Sequence, residues 1–188
     1  MTPTFIAEIK TQSPFGFKAK HPFVSLMEVA IQHGDWISVH TNALWGGDYD
    51  AISFVRRNTD KPILAKGLHE TDDDIQRALD HGATYVLVVD RFPDRDRIHY
   101  SNLLLERHDP HLLKHQMDNA PYLSYAKFVC NSRNLRTGLP KKAWELDTFI
   151  EAGVWVCQAS GIKSIEQVDK RVDAFIVGEH LVEFCKTL

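Results

Sequence analysis

The chain has 188 residues, 44% of them hydrophobic, which is enough for one well-filled core and predicts a single domain over residues 1–188. Its 22 Lys and Arg against 25 Asp and Glu give a net charge of -3 without long runs of like charge, which argues against a nucleic-acid partner. Three cysteines without a C-x-x-C spacing indicate neither a disulfide framework nor a zinc site. Because we find no signal peptide and no apolar stretch of membrane-spanning length, we expect a cytoplasmic protein without a membrane partner.

Apolar runs typical of strands alternate along the chain with segments of helical periodicity. The predicted strands lie within 5–14 and at 36–40, 62–66, 85–90, 102–106, 126–131, 154–158 and 174–177. Helices are predicted to start at Pro22, Tyr49 and Thr71, to lie around Leu112, and to start again at Pro140, Ser164 and Glu179. Thr71 is the expected N-cap of its helix, and Ser164 with Gln167 forms a capping-box pair.

Strands that alternate with helices imply a parallel sheet, and eight such units predict a closed (β/α)8 TIM barrel of the α/β class. Such barrels typically have about 250 residues, so this chain is short for one. We place the deficit in a truncated fourth helix, within residues 91–100, and in the lack of a segment before the first strand. The predicted fold is therefore a minimal barrel, with a doubly wound open sheet as the alternative.

The first strand has two different faces, because side chains two apart point the same way. These faces are Phe5, Ala7 and Ile9 on one side, and Ile6, Glu8 and Lys10 on the other. The apolar face must be covered. On the second face, Glu8 and Lys10 either meet water on an edge strand or, in a barrel, direct two opposite charges at a ligand.

Ligands of parallel α/β folds lie at the carboxyl ends of the strands, where this chain has polar residues. They are Lys10, His40, Lys66, Asp90, Glu106, Asn131 with Arg133, Ser160 and Glu179. Ordinary solvation of a strand end explains any one of them. As a set, the cations Lys10, Lys66 and Arg133 favour a small substrate that carries more than one negative group.

Two turns near the end of the chain have the character of a phosphate site. Ser160 and Gly161 follow the seventh strand, and Gly178 follows the eighth strand and opens a helix, so backbone N–H groups there can face an anion. The phosphate site of (β/α)8 barrels lies after these two strands. Helix stops or simple turns explain such glycines about equally well.

Other kinds of site are disfavoured. His108, His111 and His115, with Asp109 nearby, have helical spacing, but no clear carboxylate ligand for a metal comes from another element. The four tryptophans are interpreted as packing residues, and no G-x-S-x-G nucleophile elbow is present. We expect neither a metal nor a cofactor.

The chain resembles, over essentially its whole length, the indole-3-glycerol phosphate synthase family of phosphate-binding (β/α)8 barrels in tryptophan biosynthesis. The most specific segment is F-I-A-E-I-K-T-Q-S-P at 5–14, where the family's first strand has Glu, Lys and Ser-Pro in the same places. Further similar segments, in the family's order, are Gly46-Gly47, Pro62 to Lys66, Asn131 to Leu135, Ser160 to Ile162 and Ala174 to Leu181.

The resemblance implies a metal-free carboxy-lyase that converts 1-(2-carboxyphenylamino)-1-deoxyribulose 5-phosphate to indole-3-glycerol phosphate, carbon dioxide and water. By position, Lys66 resembles the general acid and Glu106 the general base. Lys10 resembles the lysine that holds the substrate's carboxylate, with Glu8 orienting it. Burial and the like charge of Lys10 lead us to expect a lowered pKa for Lys66.

The remaining implied contacts divide between the two ends of the substrate. Asn131 and Arg133 resemble residues that position the anthranilate end and its surrounding charges. The implied phosphate contacts are Ser13, Ser160, Gly161, Gly178 and Glu179, the last two through backbone N–H groups. We expect no further partner than this small phosphorylated molecule, and a monomer or weak homo-oligomer.

The chain also departs from the family's pattern. The family usually has an N-terminal helical extension, whereas here the first strand begins almost at Met1, and Ala159 stands where a Glu usually precedes the Ser-Gly of strand seven. Gly67-Leu68 replaces Asp-Phe, and residues 40–42 replace Leu-Thr-Glu. Two alternatives therefore stay open, a phosphate-binding barrel that has lost the chemistry and acts as a binding or regulatory protein, and an enzyme that converts another phosphorylated ketose.

Overall fold

The computed structural model describes residues 2–107, 119–133, 138–140 and 145–188. Eight parallel strands within them form a closed barrel in chain order, with the eighth strand paired to the first. The predicted barrel is confirmed, and the open-sheet alternative is wrong. The strands are β1 Thr4–Ile9, β2 Trp36–His40, β3 Ile63–Lys66, β4 Tyr85–Val89, β5 Leu103–Glu106, β6 Lys127–Asn131, β7 Val156–Ala159 and β8 Ala174–Val177.

Helices cover the outside of the barrel where the sequence has helical periodicity. The α-helices in the described ranges are α1 Phe23–His33, α2 Tyr49–Arg56, α3 Asp72–Asp80, α4 Glu145–Glu151 and α5 Leu181–Cys185. The predicted N-cap at Thr71 is confirmed, since its side chain accepts a hydrogen bond from the Asp74 backbone N–H at 3.2 Å. The helix predicted around Leu112 lies outside the described residues.

Two of the fully described crossovers contain a 3-10 turn and no α-helix. Between β4 and β5 the chain makes only a 3-10 turn at Tyr100–Asn102, so the predicted truncation of the fourth helix is confirmed. The capping box of Ser164 and Gln167 forms as predicted, but the helix behind it is only a 3-10 turn at Ile165–Gln167. A capping box fixes where a helix begins and leaves its length to the residues that follow.

The first strand divides its side chains between two hydrophobic layers. Phe5, Ala7 and Ile9 pack with residues of the helices, whereas Ile6 packs with residues of other strands inside the barrel. Glu8 continues the inner face and is only 4% exposed. Because both faces of β1 are covered, the barrel-strand interpretation is confirmed and the edge-strand interpretation is wrong.

Aromatic rings close the amino-terminal end of the barrel. Trp36 at the start of β2 stacks on Tyr85 with ring centroids 4.3 Å apart and on Trp155 at 5.9 Å. The ammonium of Lys127 lies 4.8 Å from the centroid of Tyr85 and 5.7 Å from that of Trp155. The packing role predicted for these two tryptophans is confirmed, while Trp144 lies outside the described residues.

In the described part of the chain, no helix has both the length and the apolar character needed to cross a membrane. Nor do those residues contain a group of three or more His, Cys, Asp or Glu side chains arranged to hold a metal ion. The histidines at 108, 111 and 115 lie outside the described ranges.

Candidate active site

A cleft opens at the carboxyl-terminal mouth of the barrel, where the strand ends bring charged side chains together. Its lining combines apolar and aromatic side chains with most of the polar residues predicted at the strand ends. The lining residues are Lys10, Phe15, His40, Trp45, Lys66, Gly67, Leu68, Leu87, Val89, Glu106, Asn131, Arg133 and Ser160. A ligand in this cleft therefore meets cations and a carboxylate as well as rings and aliphatic groups.

The carboxylate of Glu8 links two neighbouring strands at the floor of the cleft. Its Oε1 accepts a hydrogen bond from Lys66 Nζ at 2.7 Å and lies 2.6 Å from His40 Nε2. Burial alone would raise the pKa of Glu8, but the charge of Lys66 and the contact with His40 outweigh it and hold the pKa well below its usual range. Glu8 is therefore ionised at neutral pH.

Lys66 does not have the lowered pKa that the sequence led us to expect. Burial lowers its pKa, as anticipated, but the charge and hydrogen bond of Glu8 raise it by more, so the net shift is upward. The expectation was wrong because it weighed the like charge of Lys10 and omitted the opposite charge of Glu8. Lys66 therefore stays protonated and has a proton to donate.

The strand-end rule placed His40 at the mouth without giving it a role, and Trp45 was interpreted as a packing residue, but both line the cleft. Burial lowers the pKa of His40, so the ring is neutral and its Nε2 donates a hydrogen bond to the ionised Glu8. The ring of Trp45 stacks on that of His40 at 6.0 Å between centroids and 6° between planes. The Gly46-Gly47 pair was the available signal, since a Cβ at Gly47 would overlap the backbone carbonyl of His40.

Glu106 ends β5 inside the barrel mouth and is 1% exposed. The placement predicted for it at the end of the fifth strand is confirmed. Its Oε1 accepts a hydrogen bond from Asn131 Nδ2 on β6 at 2.9 Å. The Oδ1 of Asn131 in turn accepts from the backbone N–H of Arg133 at 3.0 Å, so one amide side chain fixes the positions of two neighbours.

Lys10 and Arg133 both donate to Glu179, which follows β8. Lys10 Nζ and Arg133 Nη1 each lie 2.8 Å from Glu179 Oε1, and Arg133 Nη2 lies 3.3 Å from Oε2. Partial burial acts to raise the pKa of Glu179, but the hydrogen bonds from Arg133 and Lys10 lower it to about 2. The expected orientation of Lys10 by Glu8 is thus not what the hydrogen bonds show, because Lys10 donates to Glu179 and Glu8 accepts from Lys66 and His40.

The residues predicted to hold a phosphate lie in three loops at the mouth. Ser160 and Gly161 have positive φ values of 71° and 75° and follow β7 directly. A Cβ at Gly178 would collide with the carboxylate of Glu8, so close approach of that side chain explains this glycine. Ser13 accepts hydrogen bonds from the backbone N–H groups of residues 15 and 17 at 3.3 and 3.4 Å, which orders the loop after β1.

Comparison with known proteins agrees with this geometry. The sequence profile of the family described as indole-3-glycerol phosphate synthase matches residues 1–186. A protein of that name from Campylobacter hominis is 31% identical over 196 residues, covering 94% of this chain and 74% of the relative. One from Sulfurimonas denitrificans is 29% identical over 196 residues, covering 94% of this chain and 73% of the relative.

Solved structures with low sequence identity share the barrel fold. The 3-hexulose-6-phosphate synthase of Salmonella typhimurium has a TM-score of 0.71 and 16% identity, covering 98% of both chains. The protein called KGPDC from Streptococcus mutans has a TM-score of 0.63 and 14% identity, covering 95% of this chain and 88% of its own. Since the family profile spans nearly the whole chain and the relatives match over most of both lengths, the chain belongs to the indole-3-glycerol phosphate synthase family.

Proposed function

We propose that the protein is an active indole-3-glycerol phosphate synthase, a carboxy-lyase that closes the indole ring on 1-(2-carboxyphenylamino)-1-deoxyribulose 5-phosphate. The observation that carries the proposal is the ion pair of Lys66 with the buried Glu8 in one cleft with Lys10, Arg133 and Glu106. This set supplies an acid, two cations and a carboxylate base to one small molecule, which is what the reaction needs.

Lys66 is the general acid of the proposed reaction. When the ring carbon that bears the carboxylate bonds to the ketone carbon, the ketone oxygen gains negative charge and takes a proton from Lys66. The carbon–carboxylate bond then breaks, carbon dioxide leaves, and its electron pair restores the aromatic ring. Because Glu8 raises the pKa of Lys66, the proton is in place across the neutral pH range.

Lys10 and Arg133 hold the carboxylate of the substrate until it leaves. Both side chains line the cleft and carry positive charge beside its floor. Their attraction fixes the ring carbon next to the ketone, so the reacting atoms are held within bonding reach. Neither interaction requires a metal ion.

Glu106 is the base that completes the loss of water. After decarboxylation the hydroxyl group on the former ketone carbon leaves as water, with its second proton supplied by Lys66 after reprotonation from solvent, while Glu106 takes one proton from the newly closed ring. Asn131 holds the Glu106 carboxylate in place through its 2.9 Å hydrogen bond.

The phosphate contacts in this proposal are Ser13, Ser160, Gly161, Gly178 and Glu179, with the last two acting through backbone N–H groups.

Ala159 is the observation that favours an alternative function. Its side chain is fully buried among apolar residues inside the barrel, at the position where the resemblance leads us to expect a Glu. A barrel without that carboxylate could bind the phosphorylated substrate and fail to convert it, or convert a different phosphorylated ketose. A binding or regulatory protein is thus the second candidate.

A fluorescence assay of indole-3-glycerol phosphate formation from the synthetic substrate tests the proposal. We expect product with the native chain and a loss of at least about 100-fold in Lys66→Ala, the usual scale for removal of a general acid. Lys170→Ala, which removes an exposed lysine outside the cleft, is the matched control and should leave the rate unchanged. Substrate binding without product in the native chain would instead support the binding protein.

A further inference from the structure

The carboxylate of Glu179 forms ion pairs with Lys10 and Arg133, the two cations that the proposed function assigns to the carboxylate of the substrate. Lys10, Arg133 and Glu179 follow β1, β6 and β8, so three separate parts of the barrel mouth meet at one ion-pair cluster. Glu179 accepts from Lys10 and Arg133 at 2.8 Å each, which leaves neither cation without a counter-ion.

We propose that the carboxylate of Glu179 is an exchangeable counter-ion, displaced from Lys10 and Arg133 by the carboxylate of the substrate. The identity of that ligand rests on the proposed function. The exchange itself depends only on the geometry of the three side chains and on the access of Lys10 and Arg133 to the cleft.

The cost of an unpaired buried charge explains why an internal counter-ion is needed. Lys10 is 8% exposed, and the side chain of Arg133 is 25% exposed. Two cations so close together and so little hydrated are unfavourable without a nearby anion. Glu179, with a pKa of about 2, remains charged at neutral pH and fills that place in the ligand-free chain.

The same arrangement discriminates between ligands. A ligand without a carboxylate cannot replace Glu179, because Lys10 and Arg133 would lose a counter-ion and gain none. A ligand that brings a carboxylate exchanges one ion pair for another at little cost. Glu179 therefore competes only with ligands that bring a carboxylate to Lys10 and Arg133, whereas a ligand without one binds beside an intact ion-pair cluster.

Decarboxylation reverses the exchange. When the carbon–carboxylate bond breaks, the electron pair stays in the ring and carbon dioxide leaves as a neutral molecule. Lys10 and Arg133 then lack their bound anion, and the Glu179 carboxylate can return to them. The return keeps both cations paired while the product leaves, so product release leaves neither Lys10 nor Arg133 without a counter-ion.

Isothermal titration with two ligands tests the exchange without any turnover. One is the substrate with its ketone reduced to an alcohol, which keeps the carboxylate but cannot close the ring, and the other is indole-3-glycerol phosphate. For Glu179→Gln we expect the Kd of the reduced substrate to fall about tenfold, as removal of a competing charge near two cations suggests, while the Kd of the product changes by less than about twofold.

Two further variants control the measurement. Glu183→Gln removes the same charge from an exposed residue of α5 and should leave the Kd ratio of the two ligands unchanged. Glu179→Asp keeps the charge on a shorter side chain with poorer reach, so we expect a gain in affinity between those of the native chain and Glu179→Gln. If Glu179→Gln does not fold, the Kd values of Glu179→Asp for the two ligands test the exchange instead.

Equal tightening of both ligands, or no tightening of the reduced substrate, would overturn the exchange. If the native chain forms product but the Kd ratio does not move in Glu179→Gln, the exchange is wrong and the proposed function stands. If neither native chain nor variant binds the reduced substrate, the proposed function fails and the exchange fails with it.

Discussion

The ammonium of Lys66 on β3 lies 2.7 Å from the carboxylate of Glu8 on β1, although β2 separates the two strands in the sheet. Both side chains point into the barrel, where inward-facing residues of alternate strands meet. The pair keeps Lys66, the acid of the proposed reaction, protonated, so substitutions that alter the pair are expected to alter activity.

Removal of the charge of Glu8 should move the alkaline limit of activity into the measurable range. With Glu8 ionised, the raised pKa of Lys66 keeps the lysine protonated to high pH. In Glu8→Gln burial, which lowers the pKa of Lys66, is opposed only by the smaller effects of Glu106 and Cys157, so the rate should fall as pH rises above neutrality. A profile of kcat against pH checks this, with Glu28→Gln on the exposed face of α1 as control. An unshifted profile would contradict the role of the pair.

Acid should unfold the chain partly through Glu8 and Glu179. Both have pKa values in the folded chain below the ordinary value of 4.5, so their stabilisation is complete above pH 4.5 and is lost as pH falls through the folded values. We expect the free energy of unfolding in urea to decline from about pH 4.5 towards pH 2. The decline should be shallower in Glu179→Gln than in Glu183→Gln, and equal slopes would argue against the ion pairs seen at Glu179.

Asn131→Asp should inactivate the site while keeping its shape. The change replaces the Nδ2 donor, 2.9 Å from Glu106, with an oxygen, so two carboxyl groups face each other and share a proton. A base that holds a proton cannot accept one, and we expect kcat to fall about 100-fold at neutral pH and to recover partly at higher pH. Steady-state rates between pH 6 and 9 test this, and Asn119→Asp, outside the cleft, should have no such effect.

Gly178→Ala should disturb the site through Glu8. Its Cβ would collide with the carboxylate of Glu8, and overpacking of this kind costs about 1–3 kcal/mol. In a Glu8→Ala background the space is empty, so the same change should cost much less. Urea unfolding of the two single variants and the double variant measures the difference, and strict additivity would show that Gly178 is required for another reason.

Local patterns predicted most of the fold. The strand and helix order follows from periods of two and of about 3.6 residues, and the face of β1 that carries Glu8 follows from the strand period alone. The helix predicted to start at Ser164 is only a 3-10 turn at Ile165–Gln167, because a capping box marks a helix start and says nothing about its length. The single-domain and oligomeric-state predictions stay predictions.

The strand-end rule located the polar residues of the site but not their partners. It placed Lys10, Lys66, Glu106 and Asn131 at one mouth, where the structure also has them. Which charge pairs with which depends on distances between strands far apart in the chain. Closure of the barrel puts Glu179 beside Lys10, so the sign of the pKa shift at Lys66 and the donors to Glu179 required the three-dimensional arrangement.

The stacked rings of Trp36, Tyr85 and Trp155 close the amino-terminal end of the barrel, opposite its mouth. In the proposed reaction, the substrate, carbon dioxide, water and the indole product would then all pass through the mouth of the barrel. Binding and release at a single opening must follow one another, and carbon dioxide and water can leave first only if the larger product does not block the mouth. The order of departure, as much as the chemistry, would set how fast such a barrel can work.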